Sequence, residues 1–469
     1  MALTGRLRAG LLAAAGAAAV LALGVASATA SAVSFTKPVK LRNSPPKGEL
    51  QGGEPSVAFD RDGKHVYVVA PGGGENGGVG FWRSANAGHT FTKGRSLGSL
   101  LGGGDSDVSV GPDHTVYIAD LEVVANALCR SHDYGKTFDS NCDTGIATNQ
   151  TGIESDREWV SPSETNKSLV YFSYHDITTE TPLVYRSDSA GAPGSFAPCG
   201  PVLAPGSEAE ANYVPGGTNQ GKLSIGSHGD LYVPILEPTN PATLTSPYNN
   251  FYMAISRHGC QPGGAPFHDV TVYSNPHANL ANIFPYVVAR GNTVYAAFTG
   301  ISGKRHPQGR HGGHNHYGVY LLRSTDGGRH WSKPITVDLG WFKANALASL
   351  DVGKRPNQVA MGFYRTRTSK DPNRDDDVWK YEVATSRNGG RDFKYTRITH
   401  DAIHYGQICN LGILCTGGRN LLDFSSVGIN PRTGCVMAVF AGDPYDTPKN
   451  GRDDEAAPYV SRETHGCFG

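Results

Sequence analysis

Four short stretches of the chain repeat one pattern, Ser-x-Asp/Asn-x-Gly-x-x-aromatic, and this repeat constrains the fold more than any other feature. The stretches are 84–91, 131–138, 324–331 and 386–393. The Asp or Asn side chain can accept hydrogen bonds from nearby backbone N–H groups, and glycine adopts positive φ without a steric penalty. The pattern therefore predicts a rigid turn between two β-strands. Four copies in one chain indicate a repeat protein.

A second element occurs seven times. It consists of an alternating apolar strand, a turn, and a strand that ends in a Val-Tyr-Val-like string, at 57–70, 108–120, 159–175, 223–236, 286–299, 350–364 and 424–441. Degenerate forms of the repeated turn follow three of these pairs, at 186–188, 256–259 and 461–466. Seven units of four antiparallel strands predict an all-β fold, a seven-bladed β-propeller. The alternative is a pair of β-sandwiches, which gives no reason for one turn sequence to recur.

The two ends of the chain indicate how the ring closes. The segment 35–39 (Phe-Thr-Lys-Pro-Val) matches 331–335 (Trp-Ser-Lys-Pro-Ile), the strand that follows a complete repeated turn. The last unit has no outer strand of its own before Gly469. We therefore predict that the N-terminal strand completes the last blade, which removes an exposed sheet edge.

Residues 1–32 have the features of a secretory signal peptide that is removed: Arg6 and Arg8, an apolar run over 11–25, and small-residue cleavage positions at 28–32. Residues 33–469 are expected to form one propeller domain, secreted, extracellular and monomeric, with no membrane partner. The chain has 42 basic and 42 acidic residues. A nucleic-acid partner therefore has no electrostatic support.

Eight cysteines follow the signal segment, and an even number in an exported chain predicts disulfides. Two of them flank a repeated turn, two close a short loop, and two fall on neighbouring strands of the last blade, which leaves one pair by elimination. The expected pairs are Cys129–Cys142, Cys409–Cys415, Cys435–Cys467 and Cys199–Cys260.

Polar residues stand at the start of the innermost strand of nearly every unit. They are Glu54, Asp105, Asp107, Asp156, Arg157, Glu158, Asn219, Asn282, Asn345 and Asp423. The repeated turns belong to the opposite rim, so we expect them to be structural. A polar ring around a narrow channel must be solvated, paired or metal-bound. Three interpretations stay open: ordered water with mutual hydrogen bonds, a substrate site, and a Ca²⁺ held by Asp105, Asp107 and Asp156. No cofactor is expected to be required.

The segment Asp156-Arg157-Glu158 is the strongest candidate site, because an arginine at a strand start can bind a substrate carboxylate bidentately. His175, at the end of the next strand, offers a titratable base. A local salt bridge is the alternative. The predicted catalytic residues are Asp105, Asp107, Arg157, Glu158 and His175, and the predicted substrate-binding residues are Asp156, Tyr174, Tyr286, Arg365 and Asp423. The His-rich loop 304–317 is interpreted as a polar lid or a transition-metal site.

The repeated turn and the strand pairs resemble the secreted sialidase-like (BNR or Asp-box repeat) β-propellers. The resemblance implies a carbohydrate-active protein, first of all a glycoside hydrolase of exo-α-sialidase type on acidic glycans, with two carboxylates such as Asp105 or Asp107 and Glu158. The Arg-Ile-Pro motif of that group is absent here, and its catalytic set is not recognisable. The alternatives are a lyase that cleaves uronate-containing polysaccharides with Arg, His and Tyr, and a non-catalytic propeller that binds glycans or proteins.

Overall fold

The computed structural model describes residues 32–41, 52–72, 78–94, 97, 102–122, 125–146, 155–176, 181–239, 246–261, 267–280, 283–304, 315–374, 376–411, 415, 417–445 and 456–469. The signal segment up to residue 31, Asn282 and residues 305–314 of the His-rich loop lie outside the described residues. Within these ranges the regular structure is almost entirely β, with one short helix, α1 (Glu208–Asn212). The helical part of these ranges is too short and too polar to cross a lipid bilayer.

The strands in chain order are β1 (Ser34–Phe35), β2 (Val39–Lys40), β3 (Ser56–Phe59), β4 (Val66–Ala70), β5 (Gly80–Ser84), β6 (Thr92–Lys93), β7 (Gly102–Val110), β8 (Val116–Glu122), β9 (Ala125–Ser131), β10 (Ser155–Pro162), β11 (Val170–Asp176), β12 (Pro182–Ser187), β13 (Ala197–Pro198), β14 (Asn219–Gln220), β15 (Ser224–Ile225), β16 (Leu231–Glu237), β17 (Asn250–Ser256), β18 (His268–Ser274), β19 (Tyr286–Arg290), β20 (Thr293–Gly300), β21 (Gly318–Ser324), β22 (Ile335–Thr336), β23 (Ala344–Val352), β24 (Val359–Thr366), β25 (Val378–Ser386), β26 (Lys394–Arg397), β27 (His404–Tyr405), β28 (Ser426–Ile429), β29 (Val436–Gly442) and β30 (Ala457–His465).

These strands form seven antiparallel sheets, and the predicted seven-bladed propeller is confirmed. From the innermost strand outward, blades 1 to 3 are β3–β6, β7–β9 and β10–β13, and blades 5 and 6 are β19–β22 and β23–β26. Blade 4 divides its innermost strand into β14 and β15, which both pair with β16. Blade 2 shows three strands within the described ranges. In blade 6, β27 also pairs with β25. Four successive strand positions per blade are therefore the rule, and within the described ranges blade 2 has three.

The N-terminal strands complete blade 7, as predicted. Outside β28, β29 and β30, the outermost position is held by β1 and β2, which both pair antiparallel with β30. Ser34 lies opposite His465, and Val39 lies opposite Val460. The outer edge of β30 is therefore covered by the start of the chain, so the ring closes by backbone hydrogen bonds.

The repeated turns owe their shape to two side-chain acceptors. The serine hydroxyl accepts the glycine N–H four residues later, at 3.0, 2.9, 2.9 and 2.9 Å in the turns that begin at Ser84, Ser131, Ser324 and Ser386. The Asn or Asp Oδ1 accepts the N–H of the residue four positions on, at 2.9 to 3.0 Å. The glycine that donates has φ between +72° and +85° in all four turns. Glycine is therefore required by backbone geometry at this position.

Each blade packs against both of its neighbours, because side chains alternate between the two faces of a strand. Between blades 5 and 6, Tyr295 and Leu321 pack with Met361 and Phe363 in one buried cluster. Strands in the middle of a blade are covered on both faces, and β4, β16, β17 and β29 are buried at every residue. This burial leaves the two rims and the central channel as the places for chemistry.

Four disulfides join all eight cysteines in the predicted pairs: Cys129–Cys142, Cys199–Cys260, Cys409–Cys415 and Cys435–Cys467. The last of these links the start of β29 to the segment after β30, within the blade that closes the ring. Four disulfides indicate that the protein matures in an oxidising compartment.

Candidate functional site

A bulge in the innermost strand of blade 3 creates the candidate site. The pairing of β10 with β11 shifts register between Asp156 and Trp159, and Arg157 has φ +56°. A bulge adds a residue to one strand and re-aims the side chains beside it. Positive φ is uncommon for a residue with a Cβ atom and is typical of constrained sites. The sequence does not reveal this bulge.

The bulge directs Arg157 into the centre of the molecule. Its Nη1 lies 2.7 Å from Glu54 Oε2 and 3.3 Å from Asp105 Oδ1, and its side chain is 1% exposed. Its guanidinium carbon is 4.4 Å from the centre of the Phe424 ring, 5.3 Å from Trp159 and 5.6 Å from Phe284. We expected from the sequence that Arg157 would meet a substrate carboxylate. The structure instead places it in a sealed ion pair inside an aromatic cage.

Glu54 is fully buried and connects blade 1 to blade 7. One carboxylate oxygen receives the Arg157 ion pair, and the other accepts the backbone N–H of Asp423 at 2.7 Å. Burial raises the pKa of Glu54 well above its usual value, although Arg157 opposes the rise. Asp423 in turn pairs with Arg419, whose Nη2 lies 2.9 Å from Asp423 Oδ2. Arg419 was missed from the sequence, since it precedes the predicted blade.

Asp105 and Asp156 form the part of the site that solvent reaches, and the buried His175 lies beside them. The two carboxyl groups are within hydrogen-bonding reach of each other, and they are 19% and 23% exposed. His175 Nε2 lies 3.2 Å from Asp156 Oδ2. Burial raises the pKa of Asp105, whereas hydrogen bonds from His175 and Asp105 outweigh burial and lower the pKa of Asp156. The surroundings of these two neighbouring acids thus shift their pKa values in opposite directions.

Glu158 lies beneath this pair and is fully buried. Burial, reinforced by the charge of Asp105, raises its pKa to about 8. Within the described residues, neither carboxylate oxygen has a hydrogen bond of ordinary geometry. A neutral acid at physiological pH is the form that such a site favours.

Asp107 is not part of this group, although it follows Asp105 by two residues. Its carboxylate accepts the Ser56 hydroxyl at 2.8 Å and the Val160 N–H at 3.1 Å, and it pairs with Lys222 at 2.6 Å. It lines a central cavity of about 620 Å³ that the innermost strands of all seven blades enclose. The Ca²⁺ site predicted on Asp105, Asp107 and Asp156 stays a prediction. Among the described side chains, no three His, Cys, Asp or Glu groups are arranged to hold a metal.

Three predicted substrate-binding residues lie apart from Asp105 and Asp156. Tyr174 is buried between blades 2 and 3, where it stacks on Tyr185 at 5.9 Å. Tyr286 lines the cavity and donates its hydroxyl to the Ser425 carbonyl at 2.8 Å. Arg365 lies in blade 6, 2.5 Å from Glu382. The structure therefore brings together Asp105, Asp156, Arg157, Glu158, His175 and Asp423, and it adds Glu54 and Arg419.

Comparisons with known proteins place the fold. No family model and no curated protein matches the chain. Among solved structures, an ulvan lyase of polysaccharide lyase family PL25, bound to a glucuronate–sulfated rhamnose unit, is similar at 10% identity. Its TM-score is 0.52, and the match covers 90% of this chain and 96% of that one. A protein of unknown function from Dyadobacter fermentans is similar at 12% identity, with a TM-score of 0.50 and coverage of 92% and 98%.

A third similar structure is the α-L-arabinanase of Penicillium chrysogenum complexed with arabinobiose. It is 11% identical, with a TM-score of 0.46, and the match covers 91% of this chain and 98% of that one. The names of two of these three proteins, the ulvan lyase and the arabinanase, state that they act on carbohydrates. At such low identity the likeness to the ulvan lyase and to the Dyadobacter fermentans protein supports a shared fold, and the chemistry of this chain has to be argued from its own side chains.

Proposed function

We propose that the protein is a secreted, carbohydrate-active propeller that hydrolyses glycosidic bonds at the Asp105–Asp156 pair. The observation that carries the proposal is two adjacent, partly exposed carboxyl groups whose pKa values move in opposite directions. A pair of this kind supplies one acid and one base at the same pH. Glycoside hydrolysis needs that combination.

In the proposed reaction, the protonated Asp105 donates its proton to the glycosidic oxygen as the bond to the anomeric carbon breaks. The ionised Asp156, which accepts a hydrogen bond from Asp105 in the free protein, takes a proton from the water that attacks the anomeric carbon once the sugar and this water separate the two carboxyl groups to the roughly 6.5–9.5 Å that such a mechanism needs. One water is consumed, and the two carboxyls exchange protonation states before solvent restores them. His175 acts as a positioning residue, since its ring nitrogen contacts Asp156 and not the sugar.

The charge of the site favours hydrolysis over elimination. Five carboxyl groups surround two arginines, and one of those arginines, Arg157, is enclosed and already paired. The ionised Asp156 stabilises the positive charge of an oxocarbenium-like transition state. A lyase has to neutralise a uronate and its developing negative charge, for which a buried, paired Arg157 is poorly placed. Arg419 is the part-exposed cation here, at 36%.

The finer form of the activity is exo-sialidase-like cleavage of acidic glycans, as the sequence resemblance implies. The second candidate is a polysaccharide lyase, and the product separates the two. A hydrolase releases reducing ends without unsaturation, whereas a lyase releases products with a new C=C bond that absorbs ultraviolet light. Secretion and a monomeric state belong to the same proposal, and the four disulfides support the first of these.

The test uses the full secreted chain on a panel of sialosides, uronate polysaccharides and neutral glycans. We expect reducing ends from at least one substrate and no unsaturated product. Asp105→Asn and Asp156→Asn should each lower kcat by about 10²- to 10⁴-fold, as for general acid or base removal. Asp188→Asn, an exposed acid beside Arg186 at 58% exposure, is the matched control and should leave kcat unchanged. Unsaturated products, or full activity in Asp105→Asn, would refute the hydrolase.

A further inference from the structure

A second cluster of charged side chains lies on the same rim, at the end of blade 6. Arg365 in β24 lies directly opposite Lys380 in β25, and Glu382 lies opposite Arg397 in β26. Directly paired residues share one face of a sheet, and so do residues two apart. Arg365, Lys380, Glu382 and Arg397 therefore occupy one face, the side of blade 6 that packs against blade 5.

Bases outnumber acids on this face. Glu382 pairs with Arg365 at 2.5 Å, and Lys380 donates a hydrogen bond to the His400 carbonyl. Arg397 is exposed, and so is Arg367, which follows β24 on the same rim. Burial and the charges of Arg365 and Arg397 lower the pKa of Lys380. Four bases held so close repel one another, and an anion among them would relieve that repulsion.

Aromatic side chains border these bases. The Phe342 ring has the Arg365 guanidinium carbon 4.1 Å from its centre and that of Arg367 5.2 Å from it. Trp341, the preceding residue, is 55% exposed. Trp82, Trp159 and Trp379 are buried and Trp331 is part-buried, so Trp341 differs from every other tryptophan of the chain. An exposed indole offers a flat apolar face with a polar edge, which suits contact with an amphipathic ring.

We propose that Trp341, Arg367, Lys380 and Arg397, which together with the buried Arg365 behind them form the blade 6 patch, bind a carboxylate or sulfate ester carried by a sugar ring of the polysaccharide. The bases take the anionic group, and Trp341 contacts the ring face. The inference rests on the proposed function in one respect. The patch and the Asp105–Asp156 pair lie on the same rim, so one polysaccharide chain can contact both. The patch narrows the proposed substrate to an acidic glycan. It also places the binding site for the anionic group away from the buried Arg157.

The experiment measures binding to the full chain carrying Asp105→Asn, so that the ligand is not consumed. The probes are a uronate oligosaccharide, a sulfated oligosaccharide and a neutral oligosaccharide of equal length. Calorimetry and tryptophan fluorescence measure the binding of each probe. We expect the acidic probes to bind more tightly than the neutral one and to weaken as salt rises. Arg367→Ala and Lys380→Ala should each weaken acidic binding about tenfold, or about 1.4 kcal/mol. Trp341→Phe should remove most of the ligand-induced fluorescence change.

Arg391→Ala is the matched control, because Arg391 is exposed on the same blade but in the repeated turn of the opposite rim. It should bind every probe as the parent does. Equal affinity for acidic and neutral probes, or unchanged binding in Arg367→Ala, would overturn the patch. Competition by inorganic sulfate at the same concentration as the oligosaccharide would also overturn it, since the sugar would then contribute nothing.

The two proposals fail in different ways. If the patch binds acidic oligosaccharides but the wild type turns over no substrate, the proposed hydrolase activity is wrong and the proposed binding patch is supported. If the wild type hydrolyses a glycan and Arg367→Ala leaves KM unchanged, the patch is wrong and the hydrolase stands.

Discussion

The site around Arg157 and the blade 6 patch both place an arginine against aromatic rings, yet the two arginines have opposite surroundings. Arg157 contacts Glu54 and Asp105, further carboxyl groups lie nearby, and its side chain is buried. Arg365 has one acid, Glu382, and three basic neighbours of which two are exposed. Both arginines are buried and paired, so the ratio of acids to bases around them decides whether the cluster is neutralised within the protein or keeps positive charge for an anion.

The largest effect is expected from Arg157→Met. The change removes the charge that compensates Glu54 and Asp105 in a closed site, so we expect a loss of about 3–5 kcal/mol in the free energy of unfolding. Urea denaturation measures it. Arg365→Met is the comparison, and we expect a smaller loss of roughly 1–2 kcal/mol, because Arg397 and Lys380 remain near Glu382. Equal losses in both variants would contradict the difference drawn between the two sites.

Arg157 is too deeply buried for its replacement to test the proposed chemistry alone. A side chain at 1% exposure with an ion pair at 2.7 Å cannot be removed without leaving buried charge behind. Loss of activity in an Arg157 variant would therefore report unfolding as well as chemistry, and Asp105→Asn is the cleaner test.

The next effect is a pH dependence of stability that the Arg157 site should show through Glu158. Burial raises the pKa of Glu158 in the folded protein to about 8, from an ordinary value of 4.5. Between these values the folded protein binds a proton that the unfolded chain releases, so stability falls as pH rises, by at most about 1.4 kcal/mol per pH unit. Glu158→Gln should flatten this slope between pH 5 and 8 in unfolding measurements. A slope that survives in Glu158→Gln would assign the proton to another group, with Glu54 the first to examine.

The smallest effect is expected from Arg397→Ala in the blade 6 patch. Arg397 is exposed and repelled by its neighbours, so its removal should change the free energy of unfolding by less than about 0.5 kcal/mol and should not lower it. The thermal midpoint in low salt gives the most sensitive measurement, because salt screens surface charges. A clear loss of stability would show that Arg397 stabilises Glu382, and the patch would then resemble the Arg157 site.

The sequence alone was sufficient for the architecture. The repeated turn predicts the blades because its hydrogen bonds are local. The side chains of Ser131 and Asp133 accept hydrogen bonds from N–H groups at most four residues away. The closure by 35–39 and the four disulfide pairs followed from the order of the blades. These features depend on neighbours in sequence or on the order of repeated units, and both are visible in a single chain.

Only the tertiary structure decided which polar residues meet. Asp105 and Asp107 look equivalent in sequence, yet the first joins Arg157 and Asp156 while the second pairs with Lys222, 115 positions away. Glu54 contacts Arg157 over 103 positions, and its other oxygen accepts a hydrogen bond from a residue 369 positions away. The ring brings such partners together from different blades. A bulge such as the one at Arg157 turns one side chain inward, and its effect depends on packing that a sequence pattern does not contain.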